Sequence, residues 1–494
     1  MSESYLIGLD AGTTSIKGML ISSDGEHETI AHKEYSLEYS EGDFVELDPE
    51  IYWETTLYVF NQLLTKSGIS PDQIRAISFS SQGETLITLD EEGKSLRKAI
   101  VWLDNRSGKE ANTVEQAFSA QTLLEKTGQP EILPLWPATR ILWIRENEPE
   151  VFKKAAKFLL VEDYLIYKLT GKYYAEESLV SSTLYYDIQN KCWWEKMLDY
   201  LGIGEQQLPK VLPSGTPAGS IQKEAAMASG LSPDTMVITG AYDHVAGAIG
   251  SGNISEGIVS ETTGASMAMA VTIDKPVLDM DLNLPCQCHA VPGKYILQPY
   301  GQTAGMVLRW LRDEFFAGSS YEFMTSLAEK VPAGSEGLIM LPHLMGAGSP
   351  EFDSQVKGVY AGITPQMGKG HFVRAIMESV ACMIKRNLDS LKKQGIEPAE
   401  IRALGGGAES ELWNRIKADM TGIPFVTLQS KETPCLGAAI LAGIGSGLYE
   451  DFEEGCSRLV RFKNKYEPDP SQYVTYQKVF EKYVRLYDQL KGYW

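Results

Sequence analysis

Tyr5-Leu6-Ile7-Gly8-Leu9-Asp10-Ala11-Gly12-Thr13-Thr14 is a short apolar run closed by an acid and a turn of small residues, and a second apolar run at 16–22 leads into Asp24-Gly25. An Asp-Gly pair favours a tight hairpin turn, so the segment predicts strand, polar loop, strand. A related pattern returns at 257–272, where Glu261-Thr262-Thr263-Gly264-Ala265-Ser266 separates two apolar runs. Two hairpins with Thr-, Gly- and Ser-rich turns indicate two similar halves. No Pro-rich spacer or charge block separates them, and the expected division is 1–246 and 247–494.

Between the hairpins, strand-like runs at 76–80 and 236–239 alternate with helix-like stretches at 49–66 and 150–169. The second half repeats the alternation, with a helix expected at 371–394, a strand at 400–404 and a helix at 409–421. Alternation of this kind predicts an α/β fold. The tail carries Tyr473, Tyr476, Phe480, Tyr483 and Tyr487 at spacings of three and four, the pattern of a helix packing face.

The chain has 494 residues, 43% hydrophobic and 22% charged, with a formal charge of −20. That composition is globular, and the length is too great for one core. The excess of carboxylates would repel a phosphate backbone or an anionic leaflet, so no nucleic-acid or membrane partner is expected and small molecules are the default. The longest uncharged stretch, 433–449, is Gly-rich and too short to span a bilayer. The first residues carry an acid where a secretory leader would be basic, which leads to a cytoplasmic expectation. A homodimer is the general expectation for oligomeric state. Cys286, Cys288 and His289 are close enough to suggest metal ligation, but no second ligand pair with zinc spacing accompanies them.

Several residues could carry chemistry. Asp10 ends a strand beside the backbone N–H groups of Gly12, Thr13 and Thr14, a plausible cradle for phosphate with a carboxylate for Mg²⁺, although Asp-Ala-Gly is also an ordinary turn. Lys17 follows on the next strand. The phosphate loop G-x-x-x-x-G-K-[ST] fails at Gly93-Lys94-Ser95, since Thr88 stands where the first Gly is required, so ATP would need another fold. Tyr242, Asp243 and His244 follow the strand at 236–239, a placement expected of a general base at Asp243, or of a helix cap. Gly405-Gly406-Gly407 joins a strand to a helix without any Cβ to hold a flat ligand away. Gln82, Gly83 and Glu84 after one strand, with Trp102, Asp104 and Arg106 after another, supply the amide, acid, guanidinium and indole groups that polyol recognition uses.

These segments, in this order, resemble the FGGY family of carbohydrate kinases over nearly the whole chain. One family signature is matched by Gly358-Val359-Tyr360-Ala361-Gly362-Ile363 with His371-Phe372-Val373-Arg374-Ala375-Ile376-Met377-Glu378. Another is matched less well at Trp136-Pro137-Ala138-Thr139-Arg140-Ile141-Leu142-Trp143, where Arg140 replaces the usual Lys. Trp310-Leu311-Arg312-Asp313 and Leu436-Gly437-Ala438-Ala439 add support. The resemblance implies two actin-like (ribonuclease-H-like) ATPase domains with ATP and sugar meeting in an interdomain cleft. It implies Asp243 as the base, Asp10 and Asp243 as Mg²⁺ carboxylates, and Thr13, Thr14, Gly264 and Ser266 as phosphate contacts. Gly305, Arg309, Gly406, Gly407 and Glu411 would border the nucleotide.

Within the family, Cys288-His289-Ala290-Val291-Pro292-Gly293 and the ending at 461–470 resemble xylulokinases, while Gln82-Gly83-Glu84-Thr85 is similar to the sugar loop of glycerol kinases with Gly83 in place of Arg. Loss of that side chain is expected to empty space for a ligand longer than three carbons. The expectation is therefore a kinase for a ketopentose or related polyol, D-xylulose leading. Glycerol, erythritol or gluconate are the alternatives, as is a catalytically silent actin-like sugar sensor.

Overall fold

The computed structural model describes residues 4–40 and 42–494. The first expected hairpin is Tyr5–Ala11 paired antiparallel with Ser15–Ser22, in a register that sets Asp10 opposite Lys17. The second is Ile258–Thr263 paired with Met267–Ile273. Each hairpin starts a sheet of the same plan. In the first, Tyr5–Ala11 lies beside the parallel strand Ile74–Ser81, which lies beside parallel Met236–Ile238, and Glu28–Glu34 extends the other edge antiparallel. In the second, Ile258–Thr263 neighbours parallel Glu400–Leu404 and then Phe425–Leu428, and Tyr295–Leu297 extends the opposite edge. Parallel neighbours need a crossover, and the helices Pro49–Ser67 and Lys369–Lys393 supply one in each half.

The stretch 150–169 differs from expectation. It forms the helix Pro149–Lys154, the strand Lys157–Leu159 and the helix Val161–Thr170. Phe158, Leu159 and Leu160 are consecutive buried apolar residues, which suits a strand covered on both faces, and this one pairs with Ile87–Leu89. The aromatic tail is the helix Pro470–Leu490, which buries Tyr476, Tyr483 and Tyr487.

The uncharged stretch becomes the helix Thr433–Gly445, with Leu436 to Ala442 all buried. Although it belongs to the second half of the chain, it packs on the first sheet. A Cβ at Gly8 of the central strand would lie 1.9 Å from the carbonyl oxygen of Cys435. The same helix crosses the helix Asp243–Gly250, where a Cβ at Gly437 would lie 1.9 Å from the carbonyl oxygen of Ala246. The expected division at 246/247 falls inside the helix Asp243–Gly250, and Thr433–Gly445 packs across it. We expect Gly437→Ala to destabilise the protein by about 1–3 kcal/mol, because only a backbone shift can admit the methyl group. Denaturant unfolding checks this, and an unchanged midpoint would mean the helices separate freely.

Among the described residues no helix is long and apolar enough to cross a membrane, and no group of three or more His, Cys, Asp and Glu could hold a metal. Cys286 and Cys288 are instead buried on the strand Cys286–Cys288. Burial pushes the thiols of Cys286 and Cys288 up to about 12, and the Nδ1 of His289 accepts from the Val291 amide at 3.0 Å.

Candidate active site

Asp10 lies at the carboxyl end of its strand, where Ser80 of the neighbouring parallel strand donates to its Oδ1 at 2.7 Å. Burial pushes its carboxyl up to about 7; the Ser80 bond opposes this, and the negative charge of Asp243 adds to it. The turn after Asp10 is only partly the expected cradle. The Gly12 amide closes it by donating to Ser15 O at 3.0 Å, so that N–H is not free for phosphate. Thr13 and Thr14 remain at the surface of the turn, and the Thr13 hydroxyl accepts from the Trp102 indole at 2.8 Å. Lys17 is neither a solvated strand residue nor free, since its ammonium bonds Glu432 at 2.8 Å and so ties the first hairpin to the loop before Thr433–Gly445.

Glu84 is buried in a left-handed backbone conformation (φ 59°). Burial and then the charge of Asp243 push its carboxyl up to about 8, against the opposing Arg140 charge and a hydrogen bond with Ser182. Arg140 organises this region. Fully buried, it donates to the carbonyl oxygens of Glu84 at 2.6 Å, Ile100 at 3.3 Å, Trp102 at 2.8 Å and Asp104 at 3.1 Å. Its donors thus tie together the loops that carry Glu84 and Trp102, while its charge still acts on the Glu84 carboxyl. Asp243 opens the helix Asp243–Gly250; its side chain is 36% exposed, its Oδ1 accepts from the His244 amide at 2.7 Å, and partial removal from water raises its carboxyl against the opposing effect of His244. Tyr242 lies beneath it, and the His244 ring stands 5.3 Å from the Tyr242 ring.

Three expected sugar contacts are used elsewhere. Asp104 accepts from the Val45 amide at 2.6 Å and from Arg106 Nε and Nη2 at 2.8 and 2.7 Å. Arg106 also reaches Glu46 at 2.9 Å and stacks on Phe44, so both side chains are closed off from any ligand. The Gln82 amide donates to Gly12 O at 2.8 Å and its oxygen accepts from Thr85, which makes it a brace for the phosphate turn. Gly83 does not open space: a Cβ there would meet Ser182 Oγ and the Tyr242 ring at 2.9 Å.

The second hairpin turn closes through the Gly264 amide and Ser266 O at 2.9 Å. It is anchored to the start of the helix Gly305–Phe315, where Gly305 donates to Gly264 O at 2.9 Å and Met306 to Ala265 O at 3.0 Å. Beside it opens a cavity of about 600 Å³ lined by Gly264, Gly305, Arg309, Gly406, Gly407 and Glu411, which brings together six of the residues expected around a nucleotide. Ser266 is exposed outside that lining. Of the three glycines, Gly405 and Gly407 are demanded by packing, since their Cβ atoms would lie 2.9 and 2.6 Å from Thr263, while Gly406 faces open space. Sequence reasoning missed Tyr321, Thr325 and Glu329 on the cavity wall. It also missed the fully buried pair of Lys417 and Glu261 at 2.7 Å, from which Lys417 reaches the Thr263 hydroxyl at 2.7 Å.

The family models for FGGY carbohydrate kinases match in both parts, the N-terminal domain over residues 5–250 and the C-terminal domain over 262–446. The chain belongs to the FGGY family of carbohydrate kinases. It is similar to the xylulose kinase of Lactococcus lactis, 31% identical over 98% of this chain and 96% of that one. It is also similar to the gluconokinase of Bacillus licheniformis, 30% identical over 98% and 95%. A crystal structure of ligand-bound xylulose kinase from Lactobacillus acidophilus superposes with a TM-score of 0.91 at 29% identity, covering 99% and 98%. This FGGY kinase is an ATP-dependent phosphotransferase acting on a sugar, with the two actin-like, ribonuclease-H-like ATPase domains that its repeated sheets display.

Proposed function

We propose that this kinase phosphorylates a neutral ketopentose or related polyol, with D-xylulose the leading candidate. The observation that carries the reading is charge. The charge of Asp243 raises the carboxyls of Glu84 and Asp10, and the nearby cations already have partners, Arg140 on buried carbonyls, Arg106 on Asp104 and Lys17 on Glu432, so none is free to pair with a substrate carboxylate. Such a pocket binds hydroxyl groups and offers a carboxylate no free counter-charge. The xylulose kinases among the relatives support this reading; the gluconokinase supports an aldonate as the competing one. The ring of Tyr242, pressed against Gly83, gives the pocket an apolar wall for the carbon face of the sugar.

In this reading Asp243 takes the proton of the attacking hydroxyl, and its burial-raised carboxyl suits that exchange. Thr13 and Thr14 on one side and Gly264 with Ser266 on the other hold the phosphates, while the cavity at Gly406, Arg309 and Glu411 takes the adenosine. Asp10 and Asp243 would hold Mg²⁺. Their donors fit it, being hard carboxylate oxygens near enough for the charge of Asp243 to raise the carboxyl of Asp10, a mutual repulsion that a bound cation would relieve. Bound there, the cation would neutralise charge developing on the transferred phosphoryl group. His244 completes the rim beside the base.

A coupled ADP assay over D-xylulose, other ketopentoses, erythritol, glycerol and gluconate tests the substrate. We expect kcat/KM for the best neutral ketose to exceed that for gluconate by at least about 100-fold, the scale of discrimination that an unpaired buried charge imposes. Gluconate or glycerol as the preferred acceptor would overturn the proposal.

A further inference from the structure

A second cavity, of about 550 Å³, lies in the first half and shares no lining residue with the 600 Å³ cavity. It is built on two small sheets, the parallel pair Tyr174–Glu176 with Lys210–Leu212 and the hairpin Tyr186–Asp187 with Cys192–Trp193. Lys157, Lys172, Lys191 and Lys210 line it, against one lining acid, Glu205. On a chain of net charge −20, a concave surface with four ammonium groups is a local inversion of sign. We propose that this cavity is a second binding site, for a small phosphorylated compound that carries a ring.

The lysines are not equivalent. Lys191 is paired with Glu177 at 2.6 Å, and Lys157 is held by the carbonyl oxygens of Gln206 at 2.6 Å and Leu208 at 3.1 Å. These two are fixed in place. Lys172 and Lys210 are exposed at the cavity and have no acidic partner among the described residues, so their charges are available to a phosphate. Tyr173, Tyr174 and Trp193 offer half-buried aromatic surface for the rest of the ligand. Tyr186 supplies an independent sign of an absent partner: it is 1% exposed, lines the cavity, and its buried hydroxyl has no hydrogen-bond partner among the described residues. A buried hydroxyl without a partner is costly, and a shift of the Tyr186 ring toward the cavity would let a ligand oxygen satisfy it. The volume is within the range of small-molecule sites. The site requires none of the catalytic roles proposed above, so its failure leaves them untouched.

A nucleoside monophosphate and a sugar phosphate share the required chemistry. Equilibrium dialysis of the full chain against AMP, ribose 5-phosphate and inorganic phosphate separates them, with a saturating non-hydrolysable ATP analogue filling the 600 Å³ cavity. We expect one equivalent of AMP or ribose 5-phosphate to bind beside the analogue, with quenching of fluorescence that Trp193→Phe removes. Lys172→Glu with Lys210→Glu should raise that Kd by at least about tenfold, since two attractive charges become repulsive, while sugar-kinase constants and thermal unfolding stay unchanged. Three results would each overturn the proposal: neither ester binding beside the analogue, the double variant binding as tightly as the wild type, or inorganic phosphate binding as tightly as the esters.

Discussion

Asp243→Asn lowers kcat by about 10²- to 10⁴-fold, the range for loss of a positioned general base, and leaves ADP affinity within about twofold. The two effects separate because Asp243 sits at the carboxyl end of the first sheet, whereas the 600 Å³ cavity is lined from the second half. The amide of Asn preserves the contact with the His244 backbone but cannot accept a proton at neutral pH. Single-turnover kinetics with calorimetric titration of ADP measures both. A variant with near wild-type turnover would remove Asp243 from the base role, and so would a variant that lost nucleotide as well as turnover.

Asp10→Asn makes the ligand-free enzyme more stable at pH 8 while abolishing most activity. The sign follows from linkage. The folded carboxyl is raised to about 7 from 3.8, so between those values the folded state holds a proton that the unfolded chain has released. Stability contributed by this group is therefore full at low pH and is lost as pH rises toward and past 7. Asn keeps the bond from Ser80 and carries no charge to bury. We expect a gain of roughly 2–4 kcal/mol at pH 8 and almost none near pH 4, from a shift of about three units. Glu84, Asp163 and Glu176 are raised in the same way, so the comparison that isolates Asp10 is variant against wild type at each pH. Denaturant unfolding at both pH values checks it. Equal stability of the two proteins at pH 8 would show that Asp10 is ionised at little cost. Magnesium with ATP should narrow the difference, because the wild type alone retains the full pair of carboxylates.

Much of the architecture was legible because it rests on local signals. Each hairpin is marked by an apolar run, a turn of small residues and a second apolar run, and the long crossover helices carry their own periodicity. The nucleotide cavity was legible at Gly264, Gly305, Arg309 and Glu411 only through family resemblance, since nothing in their spacing says that three separate segments converge. The sugar loops were read less well. Asp104 and Arg106 looked like ligand groups because each alone is a good donor or acceptor, but at two residues' distance they satisfy one another. Gly83 looked like a vacancy because the sequence cannot reveal that Tyr242, far along the chain, fills the space beside it. Arg140 looked like an imperfect match to a signature, and its task of holding four carbonyls from two loops is visible only in three dimensions.

The helix Thr433–Gly445 also bears on how the polypeptide acquires its shape during synthesis. The central strand Tyr5–Ala11 leaves the ribosome long before Cys435 and its neighbours, which make the small-residue surface against Gly8. Until they are made, that face of the opening sheet lacks this part of its native cover. A nascent chain halted before residue 433 should therefore remain sticky and protease-sensitive in its first half, and synthesis of the helix Thr433–Gly445 converts it into a resistant particle.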